Sequence, residues 1–459
     1  MLDLDTAARA LGGVRSGPNV TFSAVNTDSR QGEPGALFVA LRGERFDGHA
    51  FVTEALAAGA AAVLVEQGRL PTTADTPMIS VPDTGQALGT LAAYWRSRFD
   101  VPVVAITGSN GKTTVKDMLA LVLSAAVGRG AVLATTGNLN NHIGVPLMLL
   151  RLRERHRYAA FEMGMNHLGE ISYLARLASP SVALVTNAGV AHLGEVGSRQ
   201  DIAHAKGEIF GALGATGVAV INADDEYALY WRQLNHGRRI VDFGIDAPAA
   251  VSARFELSPA GSLLSLRAPD SEYIVRLHVP GLHNVRNALA AAACAHAVGI
   301  APAEIASGLA RYTGTKGRLQ RMAARSGATL IDDTYNANPD SVRAAIAVLA
   351  AAPGKRVLVL GDMGELGQEG AVLHAQTGEQ ARRAGIDQLL TLGDLSEAAA
   401  RAFGDGAQHF RDLDALHAAL DRLLSAGTTV LVKGSRFMRM ERVVQRLING
   451  ESQPAEGGH

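Results

Sequence analysis

The clearest alternation of apolar and polar positions lies around the end of the first quarter of the chain. Val103 to Ile106 are apolar and mostly β-branched, which predicts a buried parallel strand. Polar and small residues follow from Thr107 to Gly111. A second apolar pattern then begins, with Val115, Met118, Leu119, Val122 and Leu123 at the i, i+3, i+4, i+7, i+8 spacing of one buried helix face. The same alternation of short apolar runs and helical stripes recurs along the chain and divides it into three blocks. The first reaches residue 100, with strands predicted at 36–41, 61–65 and 78–81 and an amphipathic helix over 86–99. The second spans 101–312, with further strands at 158–162, 182–187 and 217–222. The third spans 313–459, with strands at 356–361, 388–393 and 428–433. Strands that alternate with helices predict an α/β fold of three domains built on mostly parallel sheets. The first block is the smallest of the three. The tail from Asn449 is polar and glycine-rich, and disorder is expected there.

Composition narrows the function classes. The 459 residues are 47% hydrophobic and 19% charged with a formal net charge of -1, so no basic field points to nucleic acid or an anionic membrane. The single cysteine, Cys294, cannot form an internal disulfide and sits in an alanine-rich run, where a buried structural thiol is expected. No signal peptide and no apolar span long enough for a bilayer is present, which makes the cytoplasm the expected compartment.

The segment between the predicted strand and helix carries the chemistry. Gly108, Ser109, Asn110, Gly111, Lys112, Thr113 and Thr114 have the layout of a phosphate cradle at a helix N-terminus. In that layout Lys112 reaches terminal phosphates and the Thr113 hydroxyl ligates Mg2+. The full motif has a glycine six positions before its lysine; here that position is Ile106, so the loop is a short version. Ligands of open parallel sheets bind beyond the carboxyl ends of strands. Glu162 and His192 follow two other predicted strands, and with Thr113 they form a candidate Mg2+ shell.

Several motifs together resemble the Mur ligases, the ATP-dependent amide-forming enzymes of peptidoglycan precursor synthesis. They are Thr107-Gly-Ser-Asn-Gly-Lys-Thr-Thr114, Glu162-Met-Gly164, Thr186-Asn187 with Ala191-His-Leu193, and Ala205-Lys-Gly-Glu-Ile209. Further motifs point within that family to ligation of D-alanyl-D-alanine to UDP-N-acetylmuramoyl-tripeptide. These are Asn26-Thr-Asp-Ser-Arg30, Arg45-Phe-Asp-Gly-His49, Gly137-Asn-Leu-Asn-Asn-His-Ile-Gly144, Asp332-Asp-Thr-Tyr-Asn-Ala-Asn-Pro339 and Gly361-Asp-Met-Gly-Glu-Leu-Gly367.

The resemblance implies a smaller N-terminal α/β domain for the UDP-sugar over 1–100, a central P-loop ATPase domain over 101–312 and a C-terminal Rossmann-like α/β domain for the dipeptide over 313–459. It implies ATP and Mg2+ as cofactors, the two named small molecules as partners, no nucleic acid or membrane insertion, and a monomer. It places His192 at a second metal and makes Lys206, near the start of a helix opened by Ser198, a carbamylated lysine. Asn287 would meet the adenine region and Arg318 an ATP phosphate. Asp333, Tyr335 and Asn336 would enter the closed site, and Lys433 would meet the dipeptide or phosphate. Ser29 and Arg30 would contact the UDP-sugar. Asn138, Asn140 and Asn141 read equally as muramoyl contacts or as a turn. Two rival readings are a folate polyglutamate synthase, which shares the central ATPase, and a nucleotide switch that does not ligate.

Overall fold

The computed structural model describes residues 1–44, 46–70, 75–189 and 197–450. Six parallel strands make the central sheet, in the order Arg239–Phe243, Val218–Asn222, Val182–Val185, Val103–Thr107, Tyr158–Glu162 and Val132–Ala134. The chain leaves Val103–Thr107 toward one edge, returns to fill the gap, then crosses to build the other half. Val103–Thr107 is therefore at the switch in strand order, where two loops leave the same sheet edge in opposite directions and open a crevice.

Period-two alternation explains why these strands read as continuous apolar runs. Val103 and Ala105 face a core with Leu88, Leu91 and Trp95 of the helix Thr84–Arg96. Val104 and Ile106 face the opposite core, with Val115, Met118, Leu119, Val122 and Leu123 of the helix Lys112–Val127. All five residues of that predicted stripe are fully buried. A sheet covered on both faces has no polar side to show in the sequence. The first core also includes Leu37, Val39 and Leu64, so the first block and the central sheet share one hydrophobic interior.

The first block carries a five-stranded sheet in the order Val14–Ser16, Met78–Val81, Ala62–Glu66, Ala36–Val39 and Ala24–Asn26, parallel except for its first member. The third block carries six strands, Gln320–Ala323, Thr329–Asp333, Thr428–Lys433, Lys355–Gly361, Gln388–Leu392 and Ala407–Phe410, with only Gln320–Ala323 antiparallel. Its last strand in sequence, Thr428–Lys433, is inserted beside Thr329–Asp333, and the register pairs Asp333 with Lys433.

One element departs from the expected alternation. Ser252–Ser258, Gly261–Ala268 and Ser271–Leu277 form a three-stranded antiparallel meander. Leu264, Leu266 and Val275 close the second core from that side. Cys294 is buried in the helix Leu282–Ala297, and desolvation pushes its thiol far above the usual range, as a structural thiol requires. No described helix is long and apolar enough to cross a membrane. The tail after residue 450 lies outside the described residues.

Candidate functional site

The phosphate loop is held from the neighbouring strand end. Thr186 Oγ1 donates to the Asn110 carbonyl at 2.7 Å and Asn187 Nδ2 donates to it at 3.1 Å. The Asn110 N–H donates to Asn187 Oδ1 at 3.0 Å, so one carboxamide clamps both sides of that residue. Gly108 (φ 144°) and Gly111 (φ 85°) occupy left-handed backbone. A side chain at Gly108 would also meet Thr186 Oγ1, and one at Gly111 would meet Asn287 Oδ1. Gly111 is the N-cap of Lys112–Val127 and offers no side-chain cap, leaving the first-turn amides and the helix dipole to an anion.

Glu162 is buried at the end of the adjacent strand. Its Oε2 accepts from Thr113 Oγ1 at 2.7 Å and its Oε1 from Asn140 Nδ2 at 2.7 Å. Thr113 and Glu162 thus place hard oxygen donors side by side. Among the described residues no three His, Cys, Asp or Glu side chains cluster to hold a metal. That donor set fits Mg2+, which commonly takes one or two protein oxygens and completes its shell with phosphate and water. His192 lies outside the described residues, as does Arg45 of the first-block motif.

Two lysines lie close enough for their charges to interact. Lys112 Nζ donates to the Gly108 carbonyl at 2.6 Å, and burial lowers its pKa, with Glu162 opposing the shift. Lys206 has only 1% of its surface exposed. Burial first, and the positive charge of Lys112 second, push its ammonium well below the ordinary lysine value. The sequence predicts Lys206 near a helix start, but the structure puts it at the opposite end. The helix runs Arg199–Gly207 behind a complete capping box of Ser198 and Asp201, and Lys206 sits in its last turn. That turn is packed against the core beside Ile202, Ala203 and Ala205.

The third block closes over the loop. Arg318 Nη2 donates to Thr113 Oγ1 at 2.9 Å, and Asn338 Nδ2 donates to Asn110 Oδ1 at 2.9 Å. The Arg318 guanidinium lies 4.2 Å from the centre of the Tyr335 ring, a cation–π contact. Lys433 ends its strand as a buried cation, donating to Asp333 Oδ2 at 2.6 Å and to the Asn336 carbonyl at 2.9 Å. Burial raises the Asp333 carboxyl and Lys433 pulls it back.

Central and third blocks together enclose a cavity of about 1380 Å3. Ligand pockets usually measure roughly 300–1,000 Å3, so there is room for more than one substrate. The loop residues 109–114, Asn138, Asn140, Asn141, Glu162, Asn287, Arg318, Asp333, Tyr335, Asn336 and Lys433 all line it. Gly108 sits just behind, capped by Thr186. Asn141 also spends its Oδ1 on the Gly144 N–H at 2.8 Å, so it turns the chain as well as facing the cavity. Ser29 and Arg30 do not line it. They form a short 3-10 turn where the Arg30 guanidinium is engaged by Asp28 at 2.9 and 3.0 Å. Thr186 and Asn187 were not among the predicted site residues, although the polar pair ending an apolar strand was a usable signal.

Known proteins resemble this chain over nearly all of its length. Residues 21–96 match the Mur ligase family catalytic domain, 106–295 the Mur ligase middle domain and 317–436 the Mur ligase glutamate ligase domain. The chain is 45% identical to the UDP-N-acetylmuramoyl-tripeptide–D-alanyl-D-alanine ligase of Escherichia coli, covering 95% of this chain and 96% of that protein. The ligase of the same name from Haemophilus influenzae is 40% identical, covering 94% of each. A crystal structure of MurF from Acinetobacter baumannii superposes with a TM-score of 0.90 at 38% identity, covering 97% of this chain and 98% of that one. MurF ligase from Thermotoga maritima in complex with ADP gives 0.81 at 28% identity, covering 92% and 96%. Folylpolyglutamate synthase of Mycobacterium tuberculosis, at 19% identity and 0.63, shares the fold alone.

Proposed function

This chain belongs to the Mur ligase family, and from that premise we propose that it joins D-alanyl-D-alanine to UDP-N-acetylmuramoyl-tripeptide at the expense of ATP. The observation that carries this reading is the closed site itself. Arg318, Asp333 and Lys433 of the third block meet the phosphate loop across one cavity. A nucleotide switch needs no such second unit. Similarity at high coverage to ligases of that name supports this substrate pair over a folate. The proposed division of labour is UDP-sugar at 1–100, ATP at 101–312 and dipeptide at 313–459.

A carboxylate is a poor electrophile because its leaving group would be oxide or hydroxide. In the proposed reaction an oxygen of the tripeptide carboxylate attacks the γ-phosphorus and ADP departs, giving an acyl phosphate. The dipeptide amine attacks the acyl carbon, loses a proton, and the C–O bond to phosphate breaks. Product, ADP and phosphate result. The first step brings two anions together, and at about 4 Å their repulsion is roughly 4 kcal/mol at an effective dielectric near 20. Lys112, Arg318 and the open amides of the helix N-terminus offset it. Asn287, against Gly111, borders the nucleotide. Tyr335 and Asn336 flank the dipeptide side with Asp333 and Lys433.

Thr113 and Glu162 would hold Mg2+, which supplies charge neutralisation on the phosphates. His192 and Lys206 would serve a second ion. A depressed ammonium leaves Lys206 with more neutral amine at neutral pH. That amine can add to CO2, lose a proton and become a carbamate whose single negative charge is shared by two oxygens. Ser29 and Arg30 remain proposed as UDP-sugar contacts, and Asn138, Asn140 and Asn141 as muramoyl contacts. The test is phosphate release with UDP-N-acetylmuramoyl-tripeptide and ATP, with and without D-alanyl-D-alanine. Release dependent on both substrates is expected, and release indifferent to them overturns the reading.

A further inference from the structure

The segment joining the central and third blocks lies between the helix Pro302–Ala310 and the strand Gln320–Ala323. Within it Thr315 to Arg318 make a tight turn, closed by the Arg318 N–H donating to the Thr315 carbonyl at 2.9 Å. Gly314 (φ 111°) and Gly317 (φ 71°) give the turn its left-handed corners. This turn is fastened to the phosphate-loop helix by side chains. Arg318 reaches Thr113, and Thr315 Oγ1 donates to Asp117 Oδ2 at 2.6 Å. Thr113 and Asp117 are four residues apart, so they share one face of that helix. The Tyr312 hydroxyl lies 3.0 Å from Thr315 Oγ1 and also engages the Thr114 hydroxyl.

From the other side the third block grips the same turn. The Tyr335 N–H donates to the Gly317 carbonyl at 3.1 Å while its ring supports Arg318. Asp117 divides its oxygens, Oδ1 pairing with the buried Lys116 and Oδ2 taking Thr315. Asp117, Tyr312 and Thr315 do not line the cavity. Thr315 reaches the cavity through Arg318 of its own turn, while Tyr312 also touches the cavity-lining Thr114.

We propose that Asp117, through the Thr315 hydroxyl, is a positioning residue that fixes the interdomain turn and so holds Arg318 over Thr113 for the nucleotide phosphates. The inference rests on the ligase reading above, yet nucleotide binding tests it whether or not the chain ligates. A carboxylate acceptor makes the Thr315 bond a strong one, and its bond geometry fixes the turn directly against the helix that starts the phosphate site.

The experiment measures the affinity of the full chain, with Mg2+, for a non-hydrolysable ATP analogue by titration calorimetry. Thr315→Val removes the hydroxyl at constant shape and should weaken binding about tenfold. Thr315→Ser keeps the hydroxyl and should stay within about twofold of the unaltered chain. In an Arg318→Ala background the valine change should add less than about twofold, because its effect travels through that arginine. Asp117→Ala combined with Lys116→Met removes the carboxylate and its buried cation together and should match Thr315→Val. An equal loss with and without Arg318, no loss in either variant, or a serine variant as weak as valine overturns the proposal. Amide formation by the unaltered chain tests the ligase reading separately.

Discussion

Lys206→Met separates a functional lysine from a structural one. The side chain is 1% exposed, and the influences on its charge are burial and a neighbouring cation, with no described carboxylate to offset them. A buried polar group without a partner costs about 1–3 kcal/mol. Methionine has nearly the same length and no charge, so it should fill the space and relieve that cost. The expected change in stability is therefore between zero and about +2 kcal/mol, measured as the urea midpoint of the central-block transition by circular dichroism. Ligation should nevertheless fall at least ~100-fold, because no carbamate can form; the size follows typical losses when a positioned charge is removed from a site. A stabilised but inactive variant is the signature of a residue kept for chemistry at the expense of stability. Acetate or propionate should restore part of the activity of Lys206→Ala by placing a carboxylate in the vacated space. Loss of more than about 2 kcal/mol in the methionine variant, or full activity in it, would refute the argument.

Lys433→Met should destabilise the third block by about 3–5 kcal/mol, since Asp333 would stay buried without its cation; Asp333→Asn added to it should recover part of that loss in denaturant unfolding, and strict additivity would count against the pairing. Thr113→Val should raise the Mg2+ concentration for half-maximal ligation about tenfold, and EDTA should abolish it; an unchanged Mg2+ titration would remove Thr113 from the metal shell. His374 is buried with Nε2 accepting from the Met363 N–H at 2.9 Å and Nδ1 donating to the Gly370 carbonyl at 2.6 Å, and burial depresses its pKa. The unfolded chain then binds the proton more readily, so stability is complete above about pH 6.5 and declines as pH falls below it. His374→Gln should flatten that decline in a melting-temperature series, and an unaltered slope would show the titration arises elsewhere.

The sheets were legible because strands covered on both faces cannot hide their apolar runs. Val103–Thr107 and the stripe from Val115 to Leu123 appear where the pattern put them, as do Tyr158–Glu162 and Thr428–Lys433. The meander at residues 252–277 was less visible, because its strands face solvent on one side and carry Glu256, Arg267 and Glu272 among their apolar positions. Its turn signals, Pro259-Ala-Gly261 and Pro269-Asp270, were present. The burial of Lys206 could not be read locally. Its helix is polar by composition, and only the packing of its last turn shows that the lysine points inward. The Asp333–Lys433 pair joins residues 100 apart, and the parallel register that aligns them exists only once the last strand inserts. Arg318 could be named as a candidate from its motif, whereas its fastening through Thr315 and Asp117 depended on a turn whose geometry no spacing rule specifies.

The central claim is that ATP activates a carboxylate for amide formation. Incubating the chain with ATP, Mg2+, D-alanyl-D-alanine and UDP-N-acetylmuramoyl-tripeptide labelled with heavy oxygen in its terminal carboxylate tests it most directly. Mass spectrometry should find the pentapeptide product and an equal amount of phosphate carrying one heavy oxygen, transferred when the acyl phosphate collapses. Phosphate without the label, or ATP consumed with no amide formed, would contradict the account.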